Sequence, residues 1–287
     1  MADWQQRVSP EEVMIQEMVV DDMNEENYTV TVEDKNGRVL LSYTAEKKSN
    51  ERPVPDPAKP QKLPHEIELQ EQLYLTGLHL EQYRHATYRP EDYYLEALRR
   101  DPGDIRCNNA MGLLMLRGAK PREAEKYLRK AIETMTERTP NPYDGEPYYN
   151  LGYALMLQGR LVEAADAYWK STWNAAWQDS AFFMIAKIES RLGHEEHALE
   201  IVDRALVRNA HNTRALALKA VLLRRLGRKE EAEQTACDAL QIEGLDLGCR
   251  FEMYMLGKMT IEEMFAGLRS TPHDLLEYSM DYASAGL

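Results

Sequence analysis

Few residue patterns in this chain could do chemistry, and each has a structural reading beside the chemical one. His194 and His197 sit three apart in the string HEEH. A zinc-binding helix holds two histidines four apart, on one face, with a glutamate between them. The pair therefore reads as helix surface, with Glu195 and Glu196 placed for the positive end of a helix dipole. Asp144 and Glu146 are close enough for paired acid and base work, but two acids in one loop are common. His79 and His85, set among Tyr83, Arg84 and Tyr88, read as structural. Cys107, Cys237 and Cys249 are far apart and form no CxxC pair, which argues against a disulfide framework or a structural zinc site and suits a reducing cytoplasm. The chain has no Walker loop, no GxGxxG and no GxSxG. No metal, no cofactor and no catalysis by this chain are expected.

Aromatic residues are the other candidates. Trp169, Trp173 and Trp177 step by four, so on a continuous helix they line one side. Three readings are open: packing between neighbouring elements, a docking face for another domain, and a platform for stacking a sugar. Tyr143 and Asp144 belong to an irregular stretch, residues 136–147, reading TERTPNPYDGEP. Insertions of this kind map to surface loops, often on a binding face.

The elements that must position these residues are written in a period. Gly159, Gly193 and Gly227 are 34 residues apart, and Ala164, Ala198, Ala232 and Gly152, Ala186, Ala220 keep the same step. Such a period marks a helix–turn–helix solenoid, in which each unit buries its apolar face only by stacking on its neighbours. Units start near Glu71, Ile105, Gly145, Asp179 and Thr213, with an extra residue in the first turn, where Pro90 replaces the usual small residue. After Gly244 the period shortens; Ile261–Leu268 reads as a second helix and His273–Ser284 as the first helix of a further unit. The array stops there, as a piece of a longer protein would.

Leu151-Gly152, Gly159, Ala164 and Tyr168, with Met111-Gly112, Ala124 and Ala131 in the preceding unit, resemble the tetratricopeptide repeat over roughly residues 67–287. The resemblance implies antiparallel helix pairs wound into a right-handed superhelix, with a concave groove lined by the first helices. Groove positions would then include Tyr74, Asn109, Arg117, Tyr149, Tyr153, Phe183, Lys187, Arg191, Arg214 and Arg225. Aromatics mixed with cations suit an extended acidic peptide or a sugar; an ordinary solvated inner face is the competing reading. Repeats that clamp a C-terminal carboxylate use Lys and Asn where Tyr149 and Phe183 stand here. A narrower similarity, carried by LTGLHLEQYRHATYRPEDYYLEALRRDPGDIRCNNAMG, NPYDGEPYYNLG, TWNAAWQD and RNAHN, is to the C-terminal part of large bacterial proteins of unknown function with a β-rich N-terminal domain like those of carbohydrate-processing enzymes.

Ahead of the repeats, Ser9, Pro10, Glu11 and Glu12 would cap a short helix over residues 9–20, with Met14, Ile15, Met18 and Val19 on one face. Asn36-Gly37 reads as a two-residue hairpin turn, pairing Val32 with Leu41, Val30 with Tyr43 and Tyr28 with Ala45. The similarity above implies that this hairpin ends the β-rich domain. Lys47 to Pro64, with five prolines, reads as a semi-rigid linker. The domain reading is 1–45 acidic helix plus hairpin, 46–64 linker, and 65–287 a solenoid of about six units, the last incomplete. Net charge is −13, and residues 1–34 hold ten acids against Arg7 alone; no basic face for nucleic acid is evident. No apolar run approaches the ~18 residues of a membrane span, and the N-terminus lacks a signal-peptide core.

The fold expected is mainly α, a tetratricopeptide-type right-handed solenoid preceded by a short helix and a β-hairpin. The function expected is a protein-interaction or scaffolding module, cytoplasmic, holding a peptide, a partner domain or an adjacent β-rich domain of the same polypeptide. Two alternatives stand beside it: the helical half of a carbohydrate-active enzyme, and a homodimerisation module built on the hairpin and an exposed final helix.

Overall fold

The computed structural model describes residues 2–6, 13–20, 22, 24–46, 56–57, 59–141, 143–267 and 272–287. The chain divides into two compact units, Met1–Pro60 and Gln61–Leu287.

In the first unit, residues 13–20 carry no helix, and positions 9–12 lie outside the described residues. Good capping does not make a helix: a segment this short is marginal without packing, and Ile15 and Val19 are 77% and 97% exposed. The short helix that does precede the hairpin is a 3-10 turn, Glu25–Asn27. Asp22 organises it, its carboxylate accepting from Asn24 N at 2.9 Å and Asn27 Nδ2 at 2.5 Å. Strands β1 (Thr29–Glu33) and β2 (Val39–Thr44) pair antiparallel, Val30 opposite Tyr43 and Val32 opposite Leu41. The turn differs from the two-residue form. Gly37 N donates to Asp34 O, Gly37 alone takes positive φ (77°), and the register shifts between Val32 and Glu33. This is a longer loop closed by a glycine bulge. Asp34 selects it by accepting from both Asn36 N and Arg38 N.

The second unit begins ahead of the expected boundary at 65, because the chain from Gln61 onward is already anchored. Tyr93 Oη donates to Lys62 O at 2.8 Å, Arg100 Nη1 to Ile67 O at 2.7 Å, and Ile67 is buried. Six helix pairs follow: α1 (Gln70–Gln82) with α2 (Pro90–Arg100), α3 (Ile105–Arg117) with α4 (Pro121–Thr136), α5 (Glu146–Leu157) with α6 (Leu161–Ser171), α7 (Gln178–Arg191) with α8 (Glu195–Arg208), α9 (Thr213–Arg225) with α10 (Lys229–Ile242), and α11 (Leu247–Met255) with α12 (Ile261–Phe265). A single helix, α13 (Pro272–Ser284), ends the described chain.

Two columns set the repeat. The corner between paired helices needs a left-handed residue, which glycine supplies without a Cβ clash: Gly159, Gly193 and Gly227 have φ of 77°, 84° and 80°. In the second pair Ala119 takes that place at φ 55°. The second column is a fit of sizes. An ideal Cβ on Gly77, Gly112 or Gly152 would stand 2.5 Å from Tyr94, 2.6 Å from Leu128 or 2.9 Å from Tyr168. Where the small residue is alanine the partner column shrinks, to Val202 opposite Ala186 and Ala236 opposite Ala220, all fully buried. Each glycine of this column lets a bulky residue from its own second helix close the pair.

Candidate functional site

The first helices α1, α3, α5, α7, α9 and α11 lie side by side, and their side chains divide the groove in two. Over α1, α3 and α5 polar groups link one helix to the next. Arg106 lies 4.7 Å over the Tyr74 ring and pairs with Glu71 at 3.1 Å. Arg117 pairs with Glu81. Asn109 donates to Glu146 at 2.9 Å and accepts from Asn150 at 2.9 Å. Tyr153 is 40% exposed. Tyr149 is committed to packing, with ring centroids 5.2 Å from Tyr168 and 4.8 Å from Trp177.

Over α7, α9 and α11 the groove is filled by α13. Its residues Tyr278, Asp281, Tyr282 and Ala285 fall at i, i+3, i+4 and i+7, one helical stripe, and that stripe faces the solenoid. Asp281 accepts from Lys187 Nζ at 3.2 Å and from both Nε (2.9 Å) and Nη2 of Arg214. Tyr278 Oη donates to Asp246 at 3.1 Å, and Tyr282 Oη donates to Glu252 at 2.9 Å. Glu252 is fully buried and held by Arg224 at 2.5 Å. Past the helix, Ser190 Oγ donates to Ala285 O at 2.9 Å. A cavity of about 30 Å³, room for one water, remains between Phe183, Leu218, Val221 and the underside of α13.

The electrostatics follow from burial and pairing. Burial pushes the Asp281 carboxyl up, but the Arg214 hydrogen bond and the charges of Lys187 and Arg214 together hold it below its ordinary value. Burial also pulls the Lys187 ammonium down, and its ion pair with Asp281 only partly restores it. Phe183 lines the same spot, its ring 5.4 Å from Lys187 Nζ.

Of the ten groove positions read from the sequence, Phe183, Lys187 and Arg214 converge on Asp281, and Arg191 meets the chain again at Gly286, where a Cβ would stand 2.7 Å from its Cα. Arg225 turns to Glu195 at 2.5 Å. The final helix is not wholly exposed, as the dimer alternative required: α13 runs back over α7 instead of leaving the array. Sequence reasoning missed Tyr278, Asp281 and Tyr282; their helical spacing was the available signal.

The three tryptophans do not share a helix face. Helix α6 stops at Ser171, and Asn174 caps a separate 3-10 turn, Ala175–Trp177. Trp169 packs on Phe182 with Arg204 above it, Trp177 packs on Tyr149, and Trp173 stays 63% exposed beneath Lys170 Nζ at 3.7 Å. Tyr143 is 86% exposed. Asp144 accepts from Glu146 N at 2.9 Å, and Glu146 accepts from Asn109, so both acids have structural partners. His194 and His197 both reach Glu189, at 2.8 and 3.2 Å. Burial pushes the Cys107 and Cys249 thiols far above their ordinary value, which removes the thiolate a nucleophile needs. Among the described residues no cluster of His, Cys, Asp or Glu could hold a metal ion.

A family model described as the tetratricopeptide repeat matches residues 109–178 and 183–244. Over those stretches the chain is similar to tetratricopeptide repeats, and its paired helices have the tetratricopeptide-type fold. Their fold is shared with several solved structures. Pseudomonas aeruginosa pilF is 18% identical, with a TM-score of 0.57 over 76% of this chain and 88% of that one. YrrB is 16% identical, with a TM-score of 0.52 over 63% and 90%. MamA is 19% identical, with a TM-score of 0.52 over 61% and 92%. Protein high chlorophyll fluorescent 107 of Arabidopsis thaliana is 34% identical over 95 residues, which are 33% of this chain. The match spans only 14% of that relative's length. Among the described residues no helix is long and apolar enough to cross a membrane.

Proposed function

We propose that this protein is an interaction module that holds a helical or extended segment of a partner in the groove of its first helices, with no chemistry of its own. The observation that carries the reading is the seating of α13. The groove over α7 and α9 accepts a helix side-on and pairs one acid with two cations, Lys187 and Arg214. The open half over α1, α3 and α5 offers the same mixture, with Arg106 and Arg117 beside Tyr74 and Tyr153. Among proteins of this fold, YrrB is described as having an unusual peptide-binding site, and the reading transfers that use to the present groove. Buried, unpaired Cys107 and Cys249 extend it to a reducing compartment such as the cytoplasm.

The test is a selection of 16-residue peptides on the immobilised full chain, followed by fluorescence anisotropy. Acidic, aromatic peptides are expected, weakened about tenfold by the pair Arg117→Glu and Tyr153→Ala. Neither side chain is in the core. Binders that ignore this pair, or a selection that yields none, overturn the reading.

A further inference from the structure

Helix α13 is held differently from every other long helix of the solenoid. Helices α7 and α9 bury eight and seven residues, whereas α13 buries none. The stripe Tyr278, Asp281, Tyr282 and the following Ala285 is partly or fully covered, while Leu275, Leu276 and Met280 on the other side are 46%, 57% and 69% exposed. The surface beneath is nonetheless built for a helix. Lys187 is an ammonium in the core, its side chain 7% exposed, and Asp281 is the acid that answers it. Glu252 and Asp246 stand ready for hydroxyls one helical turn apart. A cavity of about 30 Å³ remains over Leu218 and Val221, beneath α13. A good seat with a loose tenant is the arrangement of a replaceable ligand.

We propose that the groove over α7, α9 and α11 is a binding site for an amphipathic helix of a partner protein, and that α13 occupies it in cis until that helix displaces it. The partner helix carries an aromatic residue, an acid three positions later and a second aromatic next to the acid, as Tyr278, Asp281 and Tyr282 do. This rests on the interaction reading above. A tethered helix works at an effective concentration of the order of millimolar, so a groove that is open about one tenth of the time binds any outside helix about tenfold more weakly than an open one. A partner overcomes this by filling the cavity with a larger apolar group than Ala285.

The experiment uses the full chain and a fluorescein-labelled peptide of residues 272–287, titrated by anisotropy. Two variants open the groove in different ways. Asp281→Lys sets a cation against Lys187 and Arg214. Gly286→Val leaves the acid in place but puts a Cβ within 2.7 Å of the Arg191 backbone at φ 76°. Both are expected to bind the peptide up to about tenfold more tightly than the unaltered chain. Adding Arg214→Glu to Gly286→Val is expected to abolish that binding, and a peptide carrying Asp281→Lys to bind none of them. Amide exchange should quicken in α13 and stay slow in α7 and α9. Equal affinity for the unaltered chain and both variants, or no binding to either variant, overturns the proposal. So does loss of protection in α7 and α9, which would make α13 part of the solenoid's own core. Any of these results beside intact Arg117-dependent binding of selected peptides removes the cis occupant and leaves the interaction reading standing.

Discussion

The fit between Gly152 and Tyr168 can be tested with a double-mutant cycle. A methyl group at 152 would stand 2.9 Å from both Cδ1 and Cε1 of the Tyr168 ring. Carbon atoms in contact settle at about 3.5–4.0 Å, so the ring must retreat by roughly 0.6–1 Å. It has little room, being fully buried with Tyr149 edge-on at 5.2 Å. Overpacking of this size costs about 1–3 kcal/mol, against a gain of about 1 kcal/mol for alanine over glycine inside a helix. Gly152→Ala alone is therefore expected to destabilise by roughly 0–2 kcal/mol. Tyr168→Val alone opens a hole and costs about 2–4 kcal/mol. Together they recreate the pair that the fourth repeat uses, Ala186 with Val202. The clash is gone while the helix gain remains, so the double variant should be more stable than the sum of the singles by about 1–3 kcal/mol. Urea unfolding followed by circular dichroism gives the totals, and amide exchange in α5 and α6 gives the local value, because repeat arrays open in segments. Additivity within about 0.5 kcal/mol would refute the claim that these columns set each pair's fit.

Three further outcomes are expected. Tyr168 Oη is buried without a hydrogen-bond partner, so Tyr168→Phe should stabilise by about 1–2 kcal/mol; a neutral or lower denaturation midpoint would mean the hydroxyl is satisfied by water. Ala119→Gly should raise stability by about 0.5–1 kcal/mol, relieving a left-handed alanine at φ 55°, and an unchanged midpoint would show that the corner is unstrained. For pH the sign is set by Asp281, whose folded pKa lies below its ordinary 3.8. Its contribution to seating α13 is full above that ordinary value and lost as pH falls through the lowered one. Amide exchange in α13, corrected for intrinsic rate, should thus match at pH 7 and pH 5; release of α13 between those values would contradict the Asp281 assignment.

What could be read from the sequence depended on how local its cause was. Gly159, Gly193 and Gly227 were legible because a left-handed corner leaves little choice of residue, whereas Ala119 hid the second corner by doing the same task at a cost. The hairpin register followed from centring the turn on Asn36-Gly37, but the turn type depended on Asp34, two residues earlier. The resemblance implied groove positions for Phe183, Lys187 and Arg214, and the fold gathers these three beneath α13. Tyr149 packs on Trp177, a contact across 28 residues that no local pattern announces. The tryptophan stripe failed because α6 ends at Ser171, where Thr172 to Asn174 turn the chain. The N-terminal helix is not formed over residues 13–20, where Ile15 and Val19 lie exposed and lend it no packing. Least legible was α13. Its stripe was in plain view, but nothing short of the folded solenoid says that an acid at 281 belongs opposite a lysine at 187.

Ser190 and Ala285, bonded to each other, are 95 residues apart in the chain. At a synthesis rate of about 5–20 residues per second, α7 leaves the ribosome roughly 5–20 s ahead of its own cover. Neighbouring repeats fold as they emerge, so a newborn molecule passes through an interval in which Lys187 and Arg214 face solvent. Whichever helix reaches them first in that interval has an advantage that equilibrium affinity does not describe, and a partner made nearby could be loaded before the tail ever arrives.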